Sequence, residues 1–453
     1  MELKDKNVLV VGLGVSGVAA ARFACSRGAR VGITDLKTAA ELGAALDALE
    51  ELPIRYLLGG HPVEPFLEAD LVVLSPGVPA GIEPLRRARA AGVPVVAEVE
   101  LACRFLRDVL VGITGSNGKS TTTALAAHLL RGAGFEAEAC GNIGSPLVDM
   151  VASTTPGRFL AVELSSFQLE SIDRFRPWIG VVLNVTPDHM DRYPDLDAYK
   201  RAKLRLFRNQ AAEDHVVVNA DEEHAEEFAA ASRAPSFRFS RLRRLHNGVC
   251  LDGSEIAWMR DGSPIPILPA SELGLRGPHN LENAMAAASI ALLCGAKPER
   301  VAVGLQDFRP LEHRLEPAGE IGGVLFVNDS KATNVDAAAV ALRSFETPVV
   351  AIMGGRDKGG DFAALRPLAE RRVRRLILIG EAAPRIAAAL DGAAPAECCG
   401  SLEEAVRAGL EAAEPGDVVL LAPGCASFDM FDNFEQRGRR FKKAVGRLRD
   451  AGG

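Results

Sequence analysis

The chain has 453 residues, 48% of them hydrophobic and 25% charged, with a formal net charge of −7. That length exceeds one ordinary domain and suggests two to four, and the balance is that of a globular protein with ample core. The negative charge argues against a nucleic-acid partner, and no apolar run approaches the roughly 18 residues of a membrane span.

The eight cysteines are scattered without metal-ligand spacing, and Cys398 and Cys399 are adjacent, which suits no ordinary bridge. With no charged-then-apolar leader evident, the expectation is a reduced, cytoplasmic, monomeric enzyme without membrane or nucleic-acid partners.

Short apolar runs alternate with Ala-rich helical stretches, which predicts parallel sheets covered by helices. Predicted strands of a first series begin at Asn7–Val11, Val31–Thr34 and Leu71–Leu74. A second runs through Val109–Thr114, Phe159–Val162, Ile179–Leu183 and Val216–Val218, followed by a small β excursion over residues 236–276. A third contains Val324–Val327, Pro348–Ile352, Leu376–Ile379 and Val418–Leu421. Three α/β domains fit best: a Rossmann-like domain over 1–97, a central P-loop-type domain with a parallel sheet over 98–310, and a second Rossmann-like domain over 311–453. The basic cluster from Arg437 to Arg449 reads as the solvated face of a last helix.

In the first domain, Gly12-Leu-Gly14-Val15-Ser16-Gly17 follows a strand and opens a helix, and Asp35 ends the second strand. This satisfies the dinucleotide fingerprint and alone would suggest an NAD-dependent oxidoreductase. The pattern shows only that a helix N-terminus can accept a diphosphate beside a hydrogen-bonding acid, which a UDP group satisfies equally. Ser75-Pro76-Gly77 adds a loop on the same C-terminal edge.

The centre of the chain is Thr114-Gly115-Ser116-Asn117-Gly118-Lys119-Ser120-Thr121. Strand, glycine loop and helix can wrap backbone N–H groups around phosphates. Lys119 can neutralise the terminal phosphates and Ser120 can ligate Mg²⁺. The strict P-loop pattern needs glycine where Ile113 stands, yet the core of the motif is intact and points to a nucleoside triphosphate. The oxidoreductase reading leaves this loop without a purpose.

Glu163, at the end of a neighbouring strand, can join Ser120 on Mg²⁺. Asn184-Val-Thr-Pro-Asp188-His189-Met-Asp191-Arg192 follows another strand and places His189 on the same edge, as site or as structural histidine. Gly141-Asn142-Ile-Gly144 can present an amide to a substrate, and Asn280 of His279-Asn280-Leu-Glu-Asn283 can be a plain helix cap. Nothing in the pattern selects Lys203 over Lys200, and a surface helix lysine is the competing reading for it. In the third domain, Asp329-Ser330 before a helix reads either as a cap or as a site. Lys358 and Ser427 read either as surface lysine and turn serine or as binding groups.

Together, Thr114–Ser120, Glu163-Leu-Ser-Ser166, His279-Asn-x-x-Asn283, His313-Arg314 and Asn328-Asp329-Ser330-Lys331-x-Thr333-Asn334 resemble the Mur ligase family in order and spacing over essentially the whole chain. Asp188-His-Met-Asp-Arg-Tyr-Pro194 and Cys425–Gly438 resemble the member that adds D-glutamate; the Asp-Asn-Pro-Arg signature of the sibling adding a diamino acid is absent.

The resemblance implies an ATP-dependent amide ligase acting on UDP-N-acetylmuramoyl-L-alanine and D-glutamate in peptidoglycan synthesis, through an acyl phosphate. It implies ATP contacts at Gly115 to Thr121, Asn283, Arg314, Asp329 and Asn334. UDP-substrate contacts would lie at Gly14, Val15, Ser16, Asp35, Leu36, Ser75, Pro76, Gly77, Asn142 and His189. D-Glutamate contacts would lie at Lys331, Thr333, Lys358, Ser427, Phe428 and Phe434. Two Mg²⁺ ions would be held by Ser120, Glu163, His189 and Lys203, the last as a carbamate, with Lys119, His189 and Lys203 as catalytic residues. Another Mur ligase or a folylpolyglutamate synthase-like ligase is the same-class alternative.

Overall fold

A computed structural model describes residues 2–190, 192–275, 277–309 and 312–451. Asp191 of the histidine-bearing stretch and the expected domain break at 310/311 lie outside the described residues. The structure is a three-domain α/β arrangement with three sheets. Contacts group the chain into two compact units. One comprises Met1–Val185, Asp197–Glu272 and Glu282–Asp307, and the other Thr186–Leu196, Leu273–Leu281 and Phe308–Gly453.

The first unit carries two sheets. Strands β1 (Asn7–Val11), β2 (Arg30–Asp35), β3 (Ile54–Leu58), β4 (Leu71–Leu74) and β5 (Val95–Ala97) form a parallel sheet in the order β3-β2-β1-β4-β5. The order reverses between β1 and β4, so the loops following Val11 and Leu74 leave side by side at the C-terminal edge, the usual ligand-binding edge of such sheets.

The central sheet contains β6 (Val109–Thr114), β7 (Ala137–Gly141), β8 (Phe159–Glu163), β9 (Ile179–Val182), β10 (His215–Asn219) and β11 (Ser236–Ser240). It continues through β12 (Gly248–Asp252), β13 (Glu255–Arg260) and β14 (Ser263–Pro269), in the order β14-β13-β12-β11-β10-β9-β6-β8-β7. The β excursion is therefore no separate lobe. β12 pairs in parallel with β11, and β13 and β14 fold back antiparallel to extend the same sheet. Strands β6, β8 and β9 are apolar and almost wholly buried, as expected for parallel strands covered on both faces.

The second unit holds β15 (Glu316–Ile321), β16 (Val324–Asn328), β17 (Val349–Gly354), β18 (Val373–Ile379), β19 (Ala396–Cys398) and β20 (Val418–Leu421), in the order β15-β16-β20-β17-β18-β19. Only β15 runs antiparallel. The loops after β16, β20 and β17 therefore emerge from adjacent strands. Among the described residues, no helix is long and apolar enough to cross a membrane.

Two buried carboxylates tie the first sheet's flank to the central domain. Glu100 Oε2 accepts the backbone N–H groups of Asp173, Arg174 and Phe175 at 2.8–2.9 Å, and Arg104 Nε donates to Oε1 at 2.8 Å. Glu98, at the first turn of the helix Glu98–Cys103, accepts Val148 N–H at 2.6 Å, while its other oxygen is buried without a hydrogen-bond partner among the described residues. Burial raises the Glu98 pKa from 4.5 to about 8, so the folded chain holds a neutral acid there at pH 7.

Between 4.5 and about 8 the folded state binds a proton that the unfolded state has released, so stability falls as pH rises through that window. Glu98→Gln removes the ionisable group and keeps an acceptor for Val148. Unfolding midpoints at pH 5 and pH 8 should diverge less in the variant than in the wild type, the wild type losing at most about 1.4 kcal/mol per pH unit from this group. Identical pH dependence in both proteins would show that Glu98 is ionised in the folded state.

Candidate active site

The loop between β6 and the helix Lys119–Gly132 is built by hydrogen bonds rather than by side-chain bulk. Gly118 caps the helix in the left-handed region at φ 84°, and an added Cβ would collide with Asn283 Oδ1. Asn184, given no role in the sequence reading, fixes the loop from the neighbouring strand. Its Oδ1 accepts Asn117 N–H at 2.8 Å, its Nδ2 donates to Asn117 O at 3.1 Å, and its carbonyl accepts Ser116 N–H at 3.0 Å. Thr122 Oγ1 donates to Asn283 Oδ1 at 3.3 Å.

Two ammonium groups reach the same loop. Lys119 Nζ donates to Gly115 O at 2.8 Å and to Ser116 O at 2.7 Å. Lys203 Nζ donates to Gly115 O at 2.8 Å and lies 4.3 Å from the centroid of the Tyr199 ring. Lys203 is 1% exposed, which overturns the surface-helix reading. Lys200 instead pairs with Asp197 and Glu227 at 3.0 and 2.8 Å. Three residues apart, the two lysines share one face of the helix Leu196–Leu204, and the neighbours each one meets set them apart. Ser120 and Glu163 are also buried, and Asn142 Nδ2 donates to Glu163 Oε1 at 2.9 Å. A buried hydroxyl and a buried carboxylate that follow or end the paired strands β6 and β8 each offer an oxygen donor of the kind Mg²⁺ prefers.

At the first sheet, Asp35 has a structural task that its position in the fingerprint does not reveal. Oδ2 accepts Leu13 N–H at 2.7 Å and Oδ1 accepts Lys37 N–H at 2.8 Å, joining the loops after β1 and β2. Ser75 Oγ donates to Gly12 O at 2.7 Å and joins the third loop to them. Pro76 and Gly77 continue that third loop, and Ser16 is half-buried in the first turn of its helix. Val15 and Leu36 are exposed apolar side chains on this rim, at 74% and 68%. His61, which carries no sequence signal, lies with Nδ1 2.9 Å from Thr34 Oγ1.

In the second unit, His189 adopts φ 58°. Its N–H donates to Asp188 Oδ1 at 2.9 Å, and its carbonyl accepts from Arg192 and Tyr193 N–H. Asn334 caps the helix Val335–Arg343 by accepting Ala337 N–H at 2.7 Å, and it donates to Asp188 Oδ2 at 2.9 Å.

Arg314 stands between two non-glycine residues in the left-handed region, His313 at φ 65° and Leu315 at φ 41°. Such backbone is costly and persists only where surroundings impose it. Glu316 Oε2 accepts His313 N–H at 2.9 Å, and Asp329 Oδ1 accepts Leu315 N–H at 3.3 Å. Burial pushes the Asp329 pKa up to about 6, with Arg314 opposing. Burial, then Arg314, pulls the His279 pKa down to about 4.

Glu312, His313 and Glu316 bring three potential metal ligands within 4.8 Å of one another. The cluster holds its own cation, since Lys442 Nζ donates to Glu312 Oε1 at 2.6 Å and to Glu316 Oε1 at 2.8 Å. Asn328 Nδ2 donates to His313 Nδ1 at 2.9 Å, so that nitrogen is engaged as well.

The loops after β16, β17 and β20 bear the remaining expected residues. Lys331 Nζ lies 5.2 Å from the centroid of the Phe434 ring, Thr333 N–H donates to Lys331 O at 2.8 Å, Ser427 is buried, and Phe428 is 63% exposed. Lys358 is half-buried beyond Gly355. The expected solvated face of the last helix holds at Arg439, Arg440, Lys443, Arg447 and Arg449, which are exposed, and requires correction at one residue. The helix Phe434–Ala451 is present, but Arg437 is fully buried.

These features place the chain among α/β proteins built around a P-loop-type glycine turn. The family models of a MurD-like N-terminal domain, a Mur ligase middle domain and a Mur ligase glutamate ligase domain match residues 6–97, 113–291 and 313–425. The chain belongs to the Mur ligase family.

A relative from Acidobacterium capsulatum, UDP-N-acetylmuramoylalanine--D-glutamate ligase, is 47% identical over 98% of this chain and 97% of its own length. The protein of the same name from Trichlorobacter lovleyi is 47% identical over 99% of this chain and its full length. The fold is similar to that of UDP-N-acetylmuramate-alanine ligase MurC from Thermotoga maritima. That similarity has a TM-score of 0.64 at 21% identity, covering 98% of this chain and 100% of that one.

The glycine geometry makes a direct prediction. Gly118→Ala must strain a left-handed backbone and displace Asn283, whereas Gly14→Ala enters open space at φ −81°. Thermal unfolding should show Gly118→Ala destabilised by about 1–3 kcal/mol and Gly14→Ala within about 0.5 kcal/mol of wild type. Equal stability of the two variants would contradict the described loop.

Proposed function

We propose that this chain joins D-glutamate to UDP-N-acetylmuramoyl-L-alanine in an ATP-dependent amide-forming step of peptidoglycan synthesis. The observation that carries the proposal is the identity of 44–47% over nearly the full chain to relatives named for that reaction. The two lysines gathered at the Gly115 carbonyl support the phosphate chemistry. The division into domains at residues 97 and 311, and the placement of the reaction in the cytoplasm in a monomer, belong to the same proposal.

The substrate carboxylate attacks the γ-phosphorus of ATP, giving an acyl phosphate and ADP. The amine of D-glutamate then attacks the acyl carbon, and phosphate departs with one oxygen from the original carboxylate. Carboxylate and triphosphate repel, so the site must concentrate positive charge. Lys119 serves the terminal phosphates, and the Gly115 to Thr121 backbone with Asn283 serves the rest of the polyphosphate. Ser120 and Glu163, with His189 and a carbamylated Lys203, would hold two Mg²⁺ ions. When bound, these ions supply charge neutralisation for the transferring phosphoryl group. Loss of a proton from the Lys203 ammonium, addition of CO₂ to the resulting amine and loss of a second proton convert a cation into a carboxylate-like ligand.

Arg314, Asp329 and Asn334 are proposed to serve the nucleotide. Gly14, Val15, Ser16, Asp35, Leu36, Ser75, Pro76, Gly77, Asn142 and His189 are proposed to serve the UDP-substrate. The exposed Val15 and Leu36 suit the faces of a uracil ring.

A glutamate needs two anchored carboxylates, for which Lys331 with Thr333 and Lys358 with Ser427 are the proposed clusters, flanked by Phe428 and Phe434. Inverting the stereocentre with both carboxylates held turns the amine away from the acyl carbon, so L-glutamate should be a very poor substrate.

Phosphate release with all three substrates tests the proposal. Lys203→Ala should lower kcat by about 10–100-fold or more, with partial recovery in acetate. Near wild-type turnover would reduce Lys203 to a packing residue. Lys358→Ala should raise the KM for D-glutamate about tenfold or more and leave that for ATP unchanged. An unaltered KM for D-glutamate would place the amino-acid pocket elsewhere.

A further inference from the structure

Among the described residues, Arg437 is the largest fully buried side chain of the third domain, and the acceptors of its hydrogen bonds are all uncharged. Nε donates to Ser330 Oγ at 3.0 Å, and Nη2 donates to Ser330 O at 2.8 Å and Cys425 O at 3.2 Å. Nη1 faces Ala426 O at 3.5 Å and lies 3.2 Å from where a Cβ on Gly355 would stand. Asp429, the carboxylate whose charge is felt there, accepts Glu381 N–H through Oδ2 at 2.9 Å. Burial lowers the Arg437 pKa to about 10, which leaves the guanidinium charged at neutral pH.

The touched positions belong to three different loops. Ser330 immediately precedes Lys331 in the loop after β16, Cys425 and Ala426 immediately precede Ser427 in the loop after β20, and Gly355 begins the loop after β17 that leads to Lys358. Arg437 itself lies in the first turn of the helix that begins at Phe434, and Ser330 Oγ donates to Phe434 O at 2.8 Å. Every group proposed for the amino acid is therefore within a few residues of one rigid, five-donor fork. Neutral acceptors satisfy the fork without cancelling its charge, and a charge in a dry interior acts over a longer range than one in water.

We propose that Arg437 is a positioning and specificity-determining residue. It clamps the three loops into one arrangement and sets beneath them a positive charge that no hydrogen-bonded carboxylate neutralises, which favours an amino acid with a second carboxylate. This rests on the D-glutamate reading above.

The test is steady-state kinetics on the full chain with each substrate varied in turn, alongside thermal unfolding, for wild type, Arg437→Lys and Arg437→Gln. Arg437→Lys keeps the charge but loses the fork, and should raise the KM for D-glutamate about tenfold while the KM for ATP stays within about twofold. Arg437→Gln removes the charge, and should also narrow the preference for D-glutamate over its neutral isostere D-glutamine by about tenfold or more. If Arg437→Gln does not fold, the KM split in Arg437→Lys decides alone. Equal increases in all KM values, or an unchanged KM for D-glutamate in Arg437→Lys, would overturn the proposal and leave Arg437 as a packing residue. A wild-type enzyme without D-glutamate-dependent phosphate release would instead remove the functional reading on which it stands.

Discussion

The carbonyl of Gly115 accepts hydrogen bonds from both Lys119 and Lys203. Two ammonium groups drawn to one oxygen repel each other, and in a largely buried setting that repulsion is weakly screened. The tip of β6 therefore concentrates positive charge where backbone N–H groups already point outward from the start of a helix. Such a site has its strongest complement in a polyanion. The left-handed Gly118 and the Asn184 brace hold it in shape, and neither position tolerates bulk or a change of hydrogen-bonding pattern easily.

The central parallel strands, β6, β8 and β9 among them, were legible because they are apolar runs buried on both faces. β3 and β5 escaped notice as short apolar runs, and three further strands that did so are of another kind. β7 reads Ala-Glu-Ala-Cys-Gly, β15 contains Pro317 and Gly319, and β19 is three residues long and exposed throughout. Each is held by pairing to a neighbour rather than by its own composition. The phosphate loop was legible because glycine spacing encodes backbone geometry directly. The fingerprint around Gly12 was legible as a geometry but silent on its ligand, since two different diphosphates satisfy the same helix N-terminus.

Charged residues were the least legible. Lys203 and Lys200 are indistinguishable by pattern, yet one is drawn to the phosphate loop and the other to Asp197 and Glu227. Arg437 sits in an arginine- and lysine-rich helix and is fully buried. Asp35 matches a ligand-binding position, yet its oxygens accept Leu13 and Lys37 N–H. Burial of an ion depends on acceptors brought from distant parts of the chain, as Ser330 and Cys425 are brought to Arg437. No local sequence signal records that.

The central claim is that phosphate is first joined to the substrate carboxylate. It is tested most directly by labelling both carboxylate oxygens of UDP-N-acetylmuramoyl-L-alanine with ¹⁸O and weighing the inorganic phosphate released in the presence of ATP and D-glutamate. Transfer through an acyl phosphate predicts one ¹⁸O atom in each phosphate formed with product. Unlabelled phosphate accompanying full amide formation, or label recovered in AMP, would contradict it.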